Sequence, residues 1–170
     1  AALWNNLGLA ARSLGDHERA RDAGRAAVAI AKRIYLDRDL RLASMHLNLS
    51  RHHVSLKEWQ AAEEQARSAL AVWERSGERG RDRAGPALNA LGLIAMNRED
   101  LEAARGWFTE ALVANERSYG PQHPLSRESH RSLYRLALAE GDDEADDRSL
   151  QRARDIAKAT LPLDSWVIAD

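Results

Sequence analysis

Residues 4–8 read Trp-Asn-Asn-Leu-Gly, and residues 88–92 read Leu-Asn-Ala-Leu-Gly. The leucine before the glycine in each segment belongs to a series with a constant step of 42 residues, and two alanine series keep that step. The series are Leu7, Leu49, Leu91 and Leu133; Ala27, Ala69, Ala111 and Ala153; and Ala20, Ala62 and Ala104, with Asp146 in the fourth place of the last. Repeats of this length are typical of solenoids, in which one structural unit buries its apolar face against copies of itself.

Apolar spacing within each repeat predicts two α-helices. The residues from Leu3 to Leu14 follow helical periodicity, and Gly15-Asp16 then ends one helix and begins the next. Comparable breaks occur at Lys57-Glu58, Glu99-Asp100 and Gly141-Asp142. An acid at each break can accept the free amide hydrogens of the helix that follows. We predict first helices near 1–14, 39–56, 84–98 and 124–140, and second helices near 17–35, 59–76, 101–118 and 143–159.

These helices predict an all-α solenoid of about four antiparallel helix pairs. Residues 1–159 form a single array in this prediction, and residues 160–170 form a C-terminal tail or cap. The repeats fall near 1–38, 39–80, 81–122 and 123–159. Two segments rich in Gly and Pro, 76–86 and 119–124, are predicted to be loops that end a helix without marking a domain boundary. Because aromatic residues make up only 5% of the chain, small side chains must form much of the core.

Composition excludes several function classes. The chain has 25 Lys and Arg against 26 Asp and Glu, which argues against a general attraction to nucleic acid or anionic lipid. It has no Cys, so disulfides and thiolate chemistry are excluded. No apolar run approaches the ~18 residues that span a bilayer, and the start lacks a signal-peptide pattern. We interpret the chain as a cytoplasmic piece of a longer protein.

Neither a metal site nor a catalytic site is predicted. The adjacent residues His52 and His53 would point about 100° apart on a helix and cannot both reach one ion. The acidic run 142–147 lacks the ligand spacing and the turn glycine of a calcium loop. No nucleophile elbow or phosphate-binding glycine loop is present. The expectation is a protein without cofactor or enzymatic activity.

The first repeat resembles the tetratricopeptide pattern. The residues that match it are Trp4, Leu7, Gly8, Ala11, Gly15, Ala20, Gly24 and Ala27. The step of 42 residues and the segment 119–124, Tyr-Gly-Pro-Gln-His-Pro, are similar to the longer repeats of kinesin light chains and many bacterial regulators. The resemblance implies a right-handed superhelix that serves as a non-catalytic adaptor, with the first helices lining a concave groove for a protein or peptide.

The resemblance also implies which side chains line the groove. The candidate residues are Asn5, Asn6, Leu9, Asn48, Arg51, Asn89, Leu93, Met96, Arg131 and Arg135. Asn side chains can bond the backbone of an extended peptide, and Arg can hold a carboxylate through two parallel bonds. The arginines predict a partner with an acidic side chain or chain terminus, whereas the apolar positions would bind apolar side chains.

Two alternatives to a regulatory binding module remain open. In the first, the array is a structural or self-association scaffold, such as a homodimer, whose groove is empty or filled by a segment of the parent protein. Trp4 at an uncapped helix start and an apolar tail around Trp166 favour it. In the second, the loop that contains Arg75, Arg79, Arg81 and Arg83 binds nucleic acid. The second is weaker because Glu74, Glu78 and Asp82 interleave with these arginines.

Overall fold

The computed structural model describes residues 1–81 and 83–141, which contain eight helices and no strand. They are α1 (Ala2–Ser13), α2 (His17–Ile34), α3 (Leu40–Ser55), α4 (Trp59–Arg75), α5 (Glu78–Arg81), α6 (Gly85–Asn97), α7 (Leu101–Tyr119) and α8 (Pro124–Ala139). Within the described ranges, the predicted first and second helices are confirmed. The predicted helix 143–159, the acidic run 142–147 and the tail around Trp166 lie outside them.

The helices stack as antiparallel pairs. The pairs are α1 with α2, α3 with α4, and α6 with α7, and α8 begins a fourth unit. Each second helix packs on the first helix of the next unit, so that α2 contacts α3, α4 contacts α6 and α7 contacts α8. The first helices also contact one another in the order α1, α3, α6, α8. The chain therefore has the all-α, superhelical repeat fold that the sequence predicts.

The core follows the repeated columns of the sequence. Ala20, Ala62 and Ala104 are fully buried, and Leu49, Leu91 and Leu133 are 2–5% exposed. Close approach of the helices also needs glycine: a Cβ on Gly92 would lie 2.4 Å from Cδ1 of Phe108. Small residues therefore set the helix separation, and the larger side chains fill the space between the units.

Two details of the predicted turns are wrong. The segment 76–86 is not entirely a loop, because α5 forms one short turn of helix within it.

Asp16 and Asp100 cap the helices that follow them, each accepting a bond of 3.1 Å from a backbone amide. Glu58 does not cap α4 with its side chain. Its carboxylate bonds His53 and Arg21 instead, and the His53 bond is the main cause of a lowered Glu58 pKa.

Candidate binding groove

The contacts between successive first helices create one continuous surface from α1 to α8. We call this surface the first-helix face. All ten residues that the sequence analysis assigns to the groove lie on these four helices, and their common place on this face remains a prediction. The second helices α2, α4 and α7 pack behind these helices and give them a fixed backing.

Two of the predicted asparagines come together on this face. Nδ2 of Asn48 donates a 2.9 Å hydrogen bond to Oδ1 of Asn5, across the contact between α3 and α1. Both side chains are half-buried. The bond leaves Nδ2 of Asn5 and Oδ1 of Asn48 available, so the pair retains one donor and one acceptor for a peptide backbone.

Arg51 occupies an unusual electrostatic position on the first-helix face. Its side chain on α3 is half-buried and makes no hydrogen bond or ion pair with any described residue. Burial is the main cause of a lowered Arg51 pKa; Glu128 on α8 opposes the shift, and Arg12 on α1 adds to it. An unpaired guanidinium partly removed from water is a strong site for an anionic group, because hydrogen bonds to a charge are roughly twice as strong as neutral ones.

Glu128 is a residue of this site that the sequence analysis missed. It stands three repeat steps after Ala2, a position that the repeat register places on the same face. Its carboxylate acts on Arg51 from two units away, because α8 and α3 lie on either side of α6. Following the register of Ala2 through all four repeats would have revealed it.

The remaining groove candidates differ in accessibility. Leu9, Leu93 and Met96 are half-buried, and the last two pack on a core cluster that includes Phe108. Asn6, Arg131 and Arg135 are exposed, and neither arginine bonds another described residue. Asn89 is only 6% exposed, and its Oδ1 has no hydrogen-bond partner. These residues remain predicted contacts, with Asn89 the least accessible to a ligand.

The histidines have structural surroundings in the described part of the chain. His53 bonds Glu58, His130 bonds Glu116 and His123 caps α8. His52 is fully buried between α1, α2 and α3. No group of three or more potential metal ligands is found among the described residues. Within the same residues, no helix is both long and apolar enough to cross a bilayer.

The tryptophans of the second helices belong mainly to the core. Trp73 is 3% exposed, while Trp59 and Trp107 are partly buried against the same cluster. The guanidinium of Arg67 lies 5.4 Å from the Trp107 ring centre, within the range of a cation–π contact. Trp73 is therefore a core residue.

An all-helical stack with a continuous first-helix face defines a helical-repeat interaction module. Two family models, both described as tetratricopeptide repeat, match residues 1–75 and 87–125. The chain belongs to the tetratricopeptide-repeat family. Modules of this family generally serve in protein interaction or as scaffolds. No curated protein matches the sequence.

Solved structures share the fold at low sequence identity. The crystal structure of BtubC (BKLC) from P. vanneervenii is 20% identical, with a TM-score of 0.75 over 93% of this chain and 63% of that chain. A substituted variant of a Podosopora anserina putative kinesin light chain with nearly identical TPR-like repeats is 16% identical, with a TM-score of 0.75 over 95% and 76%. Another crystal structure of that light chain is 15% identical, with a TM-score of 0.74 over 95% and 76%. This chain thus spans less than two thirds of BtubC.

Proposed function

We propose that the first-helix face binds an extended peptide or a helix of a protein partner and holds an acidic group of that partner at Arg51. The observation that carries the proposal is the half-buried, unpaired guanidinium of Arg51. A carboxylate of the partner would accept the hydrogen bonds of the Arg51 guanidinium, which no described residue accepts. Arg131 and Arg135, exposed on α8, would extend the same positive surface.

The neighbours of Arg51 support a directional mode of binding. Arg12 adds a second positive charge near Arg51, whereas Glu128 supplies a negative one. The Asn5–Asn48 pair offers a donor and an acceptor on the adjoining helices. A segment with an acidic group near Arg12 and Arg51, and no acid near Glu128, fits this arrangement of charges.

In this proposal the mechanism is binding without turnover, within the single array predicted over residues 1–159. The module would belong to a larger bacterial, cytoplasmic regulator, whose neighbouring domain converts the contact into an output. The packing of the helices against one another supports such a role, because a backbone that is ordered before binding keeps the ordering cost small on the receptor side.

The test is peptide selection followed by charge reversal. Peptides selected from a random library on the wild-type protein should be enriched in Asp, Glu or a free carboxyl terminus. The Arg51→Glu/Arg135→Glu variant should bind them at least about tenfold more weakly by calorimetry, since one bond to a charged group contributes roughly 1.5–3 kcal/mol.

The matched control reverses two arginines that the repeat register places outside the groove. Arg33 on α2 and Arg127 on α8 are exposed and form no ion pair among the described residues. The Arg33→Glu/Arg127→Glu variant has the same net charge as the test variant and should retain wild-type affinity. Equal affinity of the test variant and the wild type, with unchanged circular dichroism, would remove the groove assignment.

A second candidate function is a self-association scaffold. The observation that favours it is apolar exposure on α1, where Leu3 is 82%, Leu14 is 86% and Trp4 is 43% exposed. Apolar area of this kind is typical of protein contacts when it is contiguous. The dependence of the oligomeric state on concentration separates this candidate from a monomeric binding module.

A further inference from the structure

The second helices leave a furrow on the side of the molecule away from the first-helix face. Successive first helices contact one another, whereas successive second helices contact one another less. Between α2 and α4 this divergence opens two adjoining cavities of about 420 Å³ and 630 Å³, which share Glu64. We call the two cavities together the α2–α4 furrow. Its described lining residues include no groove candidate.

The furrow has an apolar floor and one wall of small side chains. Leu42 of α3 and Val72 of α4 line the floor and are 3% and 4% exposed. The α4 wall presents Ala61, Ser68 and Ala71, all of them half-buried. The lining part of α4 runs from residue 59 to residue 75, a length of about 24 Å at 1.5 Å per residue. The furrow is therefore long enough for four turns of helix.

Larger side chains narrow the equivalent space between α4 and α7. One repeat step after Ser68 and Ala71 stand Glu110 and Val113. Trp107 of α7 lines a cavity of about 300 Å³ in that space. The α2–α4 furrow is wider because its own side chains are small, so it has room for large side chains of another molecule.

The charged side chains of the furrow are not paired with one another. Arg25 and Lys32 lie seven residues apart on one side of α2, and neither forms an ion pair with a described residue. On the opposite wall, Glu64 and Arg75 of α4 are also exposed and without an ion pair among the described residues. The α2 wall is therefore basic, whereas the α4 wall carries both signs.

An α-helix fits the furrow better than an extended segment does. The backbone amides along α2 and α4 are bonded within those helices, so an extended peptide would find few partners for its own backbone. Ser68 and Gln60 are the uncharged polar side chains that α4 offers for this purpose. A helix satisfies its own backbone, and the small residues of the α4 wall let it approach closely.

Charge decides which partner fits. A nucleic acid would meet Glu64 and Asp37 inside the furrow, and α1 of a second copy has no acidic residue to face Arg25 and Lys32. We propose that the α2–α4 furrow is a second docking site, which binds an amphipathic helix of a partner protein. The helix places large apolar side chains on Val72 and acidic side chains along α2. This inference goes beyond the groove proposal and uses none of its residues.

The first test is selection from a displayed library of single helices with one randomised face. Helices selected on the wild-type protein should carry large apolar residues, with Asp or Glu along one flank. The Ser68→Glu/Ala71→Val variant introduces the residues of the equivalent positions on α7, so it should fold and fill the furrow. This variant should bind the selected helices at least about tenfold more weakly by calorimetry, because their anchoring side chains lose their pocket.

The matched control makes the same two changes outside the furrow. The Ser13→Glu/Ala139→Val variant alters exposed residues at the ends of α1 and α8 and should bind the selected helices like the wild type. Failure to select any helix would overturn the proposal. So would equal affinity of the filled variant and the wild type, with unchanged circular dichroism.

The second test concerns the basic wall. The Arg25→Glu/Lys32→Glu variant should bind the selected helices at least about tenfold more weakly, because it opposes like charges. Its control, Arg19→Glu/Arg33→Glu, has the same net charge and changes exposed residues that the repeat register places on the side of α2 away from α4. Equal losses in the two variants, or selection of helices without acidic residues, would overturn the assignment of charge.

Two other outcomes would identify a different occupant and overturn the proposal. Binding of a DNA duplex that the Arg25→Glu/Lys32→Glu variant loses would indicate a nucleic-acid site. Concentration-dependent dimers in sedimentation equilibrium that the filled variant loses would indicate a second copy of the chain. The groove variant Arg51→Glu/Arg135→Glu should bind the selected helices like the wild type, so failure of this inference and failure of the groove proposal are distinguishable.

Discussion

His52 is a polar residue at a position where the other repeats carry apolar ones. Its counterparts are Ala10, Ile94 and Leu136. The imidazole is fully buried, and neither ring nitrogen has a hydrogen-bond partner. A Cβ on Gly8 would lie 3.0 Å from its Nε2, so the glycines of the first unit provide the space for this ring.

The charge state of His52 links stability to pH. Burial, reinforced by Arg12, His53, Arg51 and His17, lowers its pKa from 6.5 to about 4. Between about pH 4 and pH 6.5, His52 therefore stays neutral in the folded protein, whereas it binds a proton in the unfolded chain. The contribution of this residue to stability is fully present above pH 6.5 and is lost as the pH falls to about 4, by up to about 3 kcal/mol.

Replacement of His52 should remove this part of the pH dependence. We expect the His52→Leu variant, which carries the residue found at position 136, to lose less stability than the wild type between about pH 7 and pH 4.5. Urea unfolding at a series of pH values measures the difference. The control Arg33→Gln changes an exposed residue of α2 that does not titrate in this pH range, and it should behave like the wild type. If the free energy of unfolding of the wild type and of His52→Leu changed equally with pH, burial of His52 would not be the cause of the pH dependence.

At the scale of the element, the turn that ends each first helix has the same backbone conformation in all four repeats. Its φ angles are 80° at Gly15, 58° at Lys57, 64° at Glu99 and 80° at Gly141. These positions are separated by one repeat step each. A left-handed conformation costs a residue with a Cβ roughly 1–2 kcal/mol, whereas glycine adopts it readily. Two of the four turns therefore carry strain.

Glycine should relieve that strain. We expect Lys57→Gly and Glu99→Gly each to raise the free energy of unfolding by about 0.5–1 kcal/mol. This value is the penalty of the left-handed conformation minus the cost of the extra entropy that glycine has in the unfolded chain. The reverse change, Gly15→Ala, should lower it by a similar amount. Urea denaturation of the three variants measures these effects. Destabilisation by both glycine substitutions would show that Lys57 and Glu99 contribute contacts that exceed the strain.

At the scale of the whole molecule, contacts are local and run from one unit to the next. The largest buried cluster joins α2, α3, α4 and α6, and a second cluster joins α6, α7 and α8. Helix α1 contributes no buried residue to the first of these clusters. In a stack of this kind, stability is approximately a sum of unit and neighbour terms, so a helix with fewer neighbours opens more readily.

Hydrogen exchange should reflect this gradient. In dilute solution, the amides of α1 are expected to exchange faster than those of α3 and α6, although all three are first helices. Exchange followed by mass spectrometry measures the order. Equal protection of the α1 and α3 amides in dilute solution would contradict the view that stability depends on the number of neighbouring helices. Raising the protein concentration should slow exchange in α1 selectively if two copies meet there.

Much of the candidate site could be predicted from the sequence, because the repeat step places equivalent residues on the same helix face. The repeat step identified Arg51, Arg131 and Arg135 as candidate groove positions. The same repeat register includes the position of Glu128, which the groove assignment omitted. It could not show that Arg51 is desolvated, because burial depends on the packing of residues from different units around the side chain. Nor could it show the Asn5–Asn48 bond, which needs both side chains placed in three dimensions.

The sequence itself determined the order and the ends of the helices, because helical periodicity and the turns at the ends of the first helices are local. It also determined their pairing, because the alanine columns allow only close stacking of similar units. The tertiary structure alone decided that Glu58 bonds His53 and Arg21 instead of capping α4, and that Arg51 loses water without gaining a partner among the described residues. These properties depend on distances between side chains from different units, which repeat spacing constrains only to the level of a helix face.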